Sequence, residues 1–161
     1  MKKLILVRHA KSSWEYDVTD HERPLKSRGY KDADIVSKAL KGRLKPDLVI
    51  SSDAARTKET SDIFVSNLNI NTDIVTYNHD LYDFSGANLL QVIKSCDNII
   101  NTLMIFGHNH ALTAFVNTYG DTYIDNVPTS GVVIIEFDIN QWHDLKPGKT
   151  LTTLFPRDLK S

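Results

Sequence analysis

LILVRHAKSSW, residues 4–14, starts with four apolar residues in a row and passes without a break into an arginine beside a histidine. A short unbroken apolar run fits a strand covered on both faces, as in a parallel sheet enclosed by helices. Arginine and histidine are unfavourable in such an interior without partners. The strand is therefore expected to stop near Val7 and to carry Arg8 and His9 out to a rim. Two later runs end the same way. LVI at 48–50 leads into Ser51 and Ser52, with Arg56 just beyond, and TLMIF at 102–106 leads into Gly107, His108 and Asn109.

Helical patterns separate these runs. From Ser27, read as an N-cap, Tyr30, Ala33, Val36, Ala39 and Leu40 recur at helical spacing up to Gly42. SSDAART at 51–57 opens a second helix, capped by Ser52, whose inward stripe is expected to be Ile63, Phe64 and Leu68. Residues 73–77 read as a weaker strand, and residues 86–95 as a short helix with Leu89, Leu90 and Ile93 inward. Asn109 is placed to cap a helix bearing Leu112, Phe115, Val116 and Tyr119 and ended by Gly120. GVVIIEF at 131–137 and TLTTLF at 150–155 follow as strands. This alternation predicts an α/β fold: a single three-layer α/β/α domain over residues 1–161, its sheet mostly parallel with an antiparallel edge.

Composition narrows the partners. A formal charge of −1 supplies no field for wrapping nucleic acid. Cys96 is the sole cysteine, so no internal disulfide forms, and it reads as an ordinary buried thiol. Lys2 and Lys3 before LILV imitate a signal peptide, but Arg8 and His9 interrupt the apolar run. No other stretch is long enough to span a membrane. A cytoplasmic protein is the expectation.

In open α/β sheets, ligands collect outside the carboxyl ends of the strands, so the three polar groups are expected to line one crevice. Arg56 sits early in its helix, and helical side chains lean back toward the N-terminus. A helix N-terminus attracts anions, and the planar guanidinium fork matches phosphate oxygens. Arg8, Arg56 and the helix dipole therefore suit a phosphoryl group. His9 and His108 are side chains that titrate near neutrality, and His9 is assigned as the nucleophile. Alone, an Arg-His pair, a helix arginine or a histidine after a strand each has an ordinary surface reading; their joint placement at strand ends argues for a site.

These residues resemble the histidine phosphatase superfamily, whose members carry an Arg-His-Gly motif at the end of the first strand; here it reads Arg8-His9-Ala10. More narrowly, RHAKSSW, DHERPLKSRG at 20–29, SSDAART at 51–57 and GHNH at 107–110 are similar to the short SixA-type phosphohistidine phosphatases in motif, order and chain length. The resemblance implies a phosphoglycerate mutase-like fold over nearly the whole chain. It also implies a cofactor-independent site in which His9 is transiently phosphorylated, ringed by Arg8, Arg56 and a protonated His108. Ala10 fits the SixA-like subgroup. Asp53 stands where related chains often have proline, and His110 occupies the usual proline position after Gly-His-Asn.

The resemblance further implies a phosphohistidine-bearing protein as substrate, in phosphorelay or phosphotransfer. Esterases of the superfamily protonate the leaving group with a mid-chain carboxylic acid, for which Asp83 is the nearest candidate by order; its plainer reading is a loop or helix-start aspartate. A phosphohistidine substrate lowers that need, because imidazole, with a pKa near ~6.5, departs neutral when its other nitrogen is protonated. Arg23, Lys11 and Asn109 are further candidates for substrate binding, Asp20 and Arg23 are placed to shape the entrance or pair with each other, and Trp14 is expected to pack. Three rivals stand beside this reading. The first is a metal-dependent phosphoesterase using His108 and His110 with Asp121 and His143, whose spacing is poor; no metal or organic cofactor is expected. The others are a noncatalytic phosphate-binding or phosphohistidine-binding module and an esterase of small phosphate compounds.

Overall fold

The computed structural model describes residues 1–160. The opening apolar run becomes β1 (Lys2–Arg8), followed by α1 (Ser27–Leu40), β2 (Leu48–Ser51), α2 (Ala55–Asn67), β3 (Val75–Tyr77), α3 (Ala87–Lys94), β4 (Thr102–Gly107), α4 (Ala111–Tyr119), β5 (Val132–Phe137), β6 (Lys149–Leu154) and α5 (Pro156–Leu159). The six strands form one sheet in the order β3-β2-β4-β1-β5-β6. β1 to β4 are mutually parallel where they pair, while β5 runs antiparallel to both β1 and β6. This is the predicted sheet, with its antiparallel part on one side.

Alternation along β1 explains why both sheet faces are covered. Leu4 and Leu6 point into one core with Leu89 and Ile93 of α3 and Leu112, Phe115 and Val116 of α4. Ile5 and Val7 point into the other with Ala33, Val36 and Leu40 of α1 and Phe64 of α2. A strand buried on both faces has no polar side to alternate with, so its sequence reads as a continuous apolar run.

Four local expectations are corrected. Ser27 lies inside α1, whose N-cap is Lys26, and Tyr30 is exposed rather than inward. Ser52 is not the N-cap of α2, a position held by Ala54; its hydroxyl accepts the Ala54 N–H at 3.2 Å, one step ahead of the helix. The face that α2 buries is largely polar, with Arg56, Thr57, Thr60 and Ser61 beside Phe64 and Val65, while Ile63 and Leu68 are only half-buried. Such a stripe escapes a hydrophobic pattern.

Gly29 permits the close approach that sets the first loop against α1. A Cβ there would lie 2.1 Å from the Lys11 carbonyl oxygen, which itself accepts the Lys26 N–H at 3.0 Å. The loop after β1 is thereby held over the sheet's carboxyl edge. Among the described residues, no helix is long and apolar enough to cross a membrane.

Candidate active site

Strand register brings the three polar groups together. Arg8 pairs with Gly107, and Ser51 pairs with Phe106, so β1, β2 and β4 end at nearly one level. An open cleft of about 380 Å³ lies there, with Arg8, His9, Lys11, Arg23, Arg56 and Asn109 in its wall.

His9 is 7% exposed. Its Nδ1 lies 2.7 Å from the Ala10 carbonyl oxygen. A carbonyl only accepts, so Nδ1 carries the proton and Nε2 keeps its lone pair. Burial, only partly opposed by the Ala10 bond and reinforced by Arg56, Arg8 and Arg23, pushes the imidazole down to a pKa of about 3. At neutral pH the ring is an uncharged base. Thr60 fixes the backbone beyond it: its hydroxyl donates to the Arg56 carbonyl at 2.7 Å and accepts the Ala10 N–H at 2.8 Å.

His108 faces His9 with ring centroids 5.1 Å apart. Its Nε2 lies 2.8 Å from Ser52 Oγ and 3.2 Å from Thr57 Oγ1, and its Nδ1 lies 3.5 Å from Arg56 Nη2. Desolvation first, then His9 and Arg56, push it down to about 2. In the ligand-free cleft His108 is therefore neutral. Two guanidinium groups and a second imidazole raise the cost of another positive charge there, a cost that a bound anion would lower.

Arg56 is almost wholly buried and donates from Nη1 to the Asp20 carbonyl at 2.7 Å and from Nη2 to Asp20 Oδ2 at 3.1 Å. Asp20 also accepts from Arg23 Nε at 3.0 Å and from the Tyr82 hydroxyl at 2.5 Å. Desolvation opposes ionisation of Asp20, but the bonds from Tyr82, Arg23 and Arg56 outweigh it and hold the carboxyl well below the usual range. On the other side, Arg8 Nη1 donates to the Val127 carbonyl at 2.9 Å. The buried Nε–H groups of Arg8 and Arg56 have no acceptor among the described residues. Burial, and then the proximity of Arg56, lowers the Arg8 pKa from its ordinary value. Two crowded guanidinium groups with unmet donors favour an oxyanion.

The remaining candidates divide. Lys11 lines the cleft. Arg23 lines it too, pairing with Asp20 as the entrance reading foresaw and lying 3.5 Å from the ring centroid of Trp14. Trp14 packs on that guanidinium and not in the core, being 78% exposed. Asn109 is at the wall, but both amide hydrogens go to its own surroundings, to Asn126 Oδ1 at 2.7 Å and the Val127 carbonyl at 3.3 Å. Its Oδ1 accepts the Thr113 N–H at 3.1 Å, so it performs the predicted cap, although the N-cap position itself belongs to His110. Asn109 thus positions the segment that holds Arg8 from its place in the cleft wall.

Asp83 takes the plainer of its two readings, at the start of α3. Its oxygens accept the Ser85 N–H and hydroxyl, the Gly86 N–H and the Leu89 N–H, all at 3.0–3.1 Å. Burial would raise its pKa, yet these bonds, Leu89 and Gly86 foremost, lower it. It is an ionised anchor for the start of α3 and has no proton to donate. His110 is exposed. Asp121 accepts the Thr150 N–H and His143 contacts Asp144, and neither falls in a ligand cluster with His108 among the described residues.

Tyr82, Ser52, Thr57 and Thr60 are functional-site residues that pattern reading did not single out for these contacts. Serine and threonine on a buried helix face near an arginine are a weak signal, and Tyr82 lies in the same LYDFSG stretch that drew attention only to Asp83.

The model of the histidine phosphatase superfamily (branch 1) matches residues 4–82. An uncharacterized chloroplastic protein of Arabidopsis thaliana is 32% identical over 154 residues, covering 89% of this chain and 70% of its own. A structure assigned as a SixA phosphohistidine phosphatase from Agrobacterium tumefaciens superposes with a TM-score of 0.79 at 24% identity, covering 95% of this chain and 97% of that one. The protein histidine phosphatase SixA complexed with tungstate also gives 0.79, at 18% identity, over 98% and 99% of the two chains. At those identities the structural likeness is one of fold.

Proposed function

From the premise that this chain belongs to the histidine phosphatase superfamily, we propose that it hydrolyses phosphohistidine on a partner protein, with His9 as the temporary phosphoryl carrier. The observation that carries this reading is the neutral His9 imidazole, its Nδ1–H tied to Ala10 and its Nε2 free, inside a cleft walled by Arg8 and Arg56. The tungstate bound by the SixA protein of similar fold is an oxyanion, as a phosphoryl group is.

In the first step His9 Nε2 forms a bond to phosphorus as the substrate's N–P bond breaks. The substrate imidazole, protonated on its other nitrogen, leaves neutral. In the second step water attacks phosphorus, the bond to His9 Nε2 breaks, and the released phosphate takes the oxygen and one proton of the water, the other proton passing to bulk solvent. His9 keeps its Nδ1 proton throughout. Arg8 and Arg56 hold the equatorial oxygens, which fixes the geometry for in-line attack and stabilises developing charge. As the phosphoryl dianion offsets these cations, His108 becomes free to take a proton and act as a further donor.

The lack of a protonated carboxyl group among the described wall residues favours phosphohistidine over an alcohol ester. Asp20, the carboxylate in the wall, is ionised and committed to Arg23 and Arg56. An alkoxide would depart poorly here, whereas a neutral imidazole needs no such help.

The test compares phosphohistidine protein, phosphoserine protein and a small phosphomonoester, with and without chelator, for wild type and His9→Ala. The expected outcome is chelator-insensitive turnover of phosphohistidine, acid-labile phosphate trapped on wild type, and a loss of about 10³-fold or more in the variant. Turnover near the wild-type level in His9→Ala refutes His9 as nucleophile, and faster turnover of esters moves the substrate class.

A further inference from the structure

We propose that His21, Asp53 and His79 form a binding site for a divalent transition-metal ion, outside the phosphoryl cleft. The three residues come from separate segments: the short turn Asp20–Glu22, the residue two positions before α2, and the turn His79–Leu81. His21 Nε2 lies 2.9 Å from Asp53 Oδ1, and His79 Nδ1 lies 3.0 Å from each Asp53 oxygen. The three ligand atoms all fall within 4.8 Å of one another, the one such group among the described residues.

Two imidazoles and a carboxylate make a donor set suited to zinc, with metal–ligand bonds of about 2.0–2.2 Å and a fourth position left for water. Donors on a tetrahedron of that size are spaced a little over ~3 Å apart, so small side-chain rotations seat the ion. Without metal, each imidazole nitrogen facing Asp53 carries a proton to bond that carboxylate. On metal binding each neutral imidazole changes tautomer, its proton moving through solvent to the ring nitrogen that faces away from Asp53, so that the facing nitrogen offers its lone pair to the ion. Solvent reaches the group, since the side chains of His21, Asp53 and His79 are 36%, 28% and 69% accessible. Tyr82 packs edge-on against the His21 ring at 4.9 Å and orients it.

The site has a consequence for its neighbour. His21 follows Asp20, the residue that already holds Arg23 and Arg56, so an ion joining the three segments would tie down that turn from outside without being needed to set either arginine. None of its ligands lies in the cleft wall. It is a clasp on the scaffold, distinct from a metal that activates water.

The experiment uses tag-free protein and the metal alone. Cobalt(II) is titrated while visible d–d absorption is recorded, zinc(II) is titrated by calorimetry, and thermal unfolding is followed with and without zinc. One equivalent is expected, with tetrahedral cobalt bands and a zinc-dependent rise in the unfolding midpoint. His79→Ala and Asp53→Asn should each weaken binding at least 10-fold, while His143→Ala leaves it unchanged. Far-UV circular dichroism checks that the variants are folded, and His79, on the surface, leaves the core intact when replaced. No saturable binding to wild type, or binding unaltered in both ligand variants, overturns the proposal.

Discussion

His9 keeps its proton on the nitrogen that faces Ala10, so the proposed nucleophile is set by one backbone carbonyl and needs no carboxylate partner. Arg56 depends on shape as much as charge. Its two terminal nitrogens meet two different oxygens of Asp20 and one of them approaches His108. A lysine is a point charge without that fork, so Arg56→Lys is expected to lower kcat/KM on phosphohistidine by roughly 10²-fold with little change in the unfolding midpoint. Asp83 shows the opposite behaviour. Asp83→Asn puts an amide where four donors point and should reduce stability by about 1–3 kcal/mol while kcat stays within a factor of a few. A collapse of kcat at unchanged stability would restore Asp83 as the acid. The convergence of Arg8, His9, Arg56 and His108 was legible because each follows an apolar run or opens a helix, and strand ends share one edge. Asp20 as the partner of Arg56 and Tyr82 as the partner of Asp20 were not, since those contacts join residues 36 and 62 positions apart through folding alone.

The elements place these residues by close approach. α1 begins where Gly29 meets the Lys11 carbonyl, and the same carbonyl takes the Lys26 N–H. Replacing Gly29 with alanine sets a gain of about 1 kcal/mol in helix propensity against an overpacking cost of about 1–3 kcal/mol. A Cβ at 2.1 Å from a backbone oxygen puts the cost at the upper end, because backbone cannot swing aside as a side chain does. Gly29→Ala should therefore lower the urea midpoint and, by shifting Lys11 and the loop over the cleft, lower kcat/KM as well. Equal or higher stability would show that the loop yields freely. Strands and most helices were readable from periodicity, since β1, β2 and β4 are apolar on both faces. α2 was readable only in outline: beside Phe64 and Val65 its buried face carries Arg56, Thr57, Thr60 and Ser61, of which the first three hold Asp20, His108 and Ala10 and are invisible to an apolar count.

Across the whole molecule, the sheet's carboxyl edge gathers cations from the ends of β1 and α2 and from the first loop, and the two imidazoles between them are kept neutral by that field and by burial. The same arrangement ties global stability to pH. An unfolded histidine takes up a proton near pH ~6.5, whereas the folded chain holds His9 unprotonated down to about 3 and His108 down to about 2. Between those limits the unfolded chain binds more protons, so stability rises with pH. The contribution is complete above pH ~6.5 and is lost progressively as acid carries the chain toward the folded values, each histidine giving a slope of up to about 1.4 kcal/mol per pH unit. Asp20 and Asp83, also depressed, add their own slope at lower pH, below the ordinary carboxylate value near ~4. The interval from pH ~6 to ~4.5 therefore belongs mainly to the histidines. His9→Gln removes one of them, and urea unfolding across that interval should give a slope shallower than wild type by about 1.4 kcal/mol per pH unit, with groups common to both proteins cancelling in the difference. Parallel profiles would mean that His9 protonates alike in the folded and unfolded chains, and the neutral imidazole on which its attack depends would have no support.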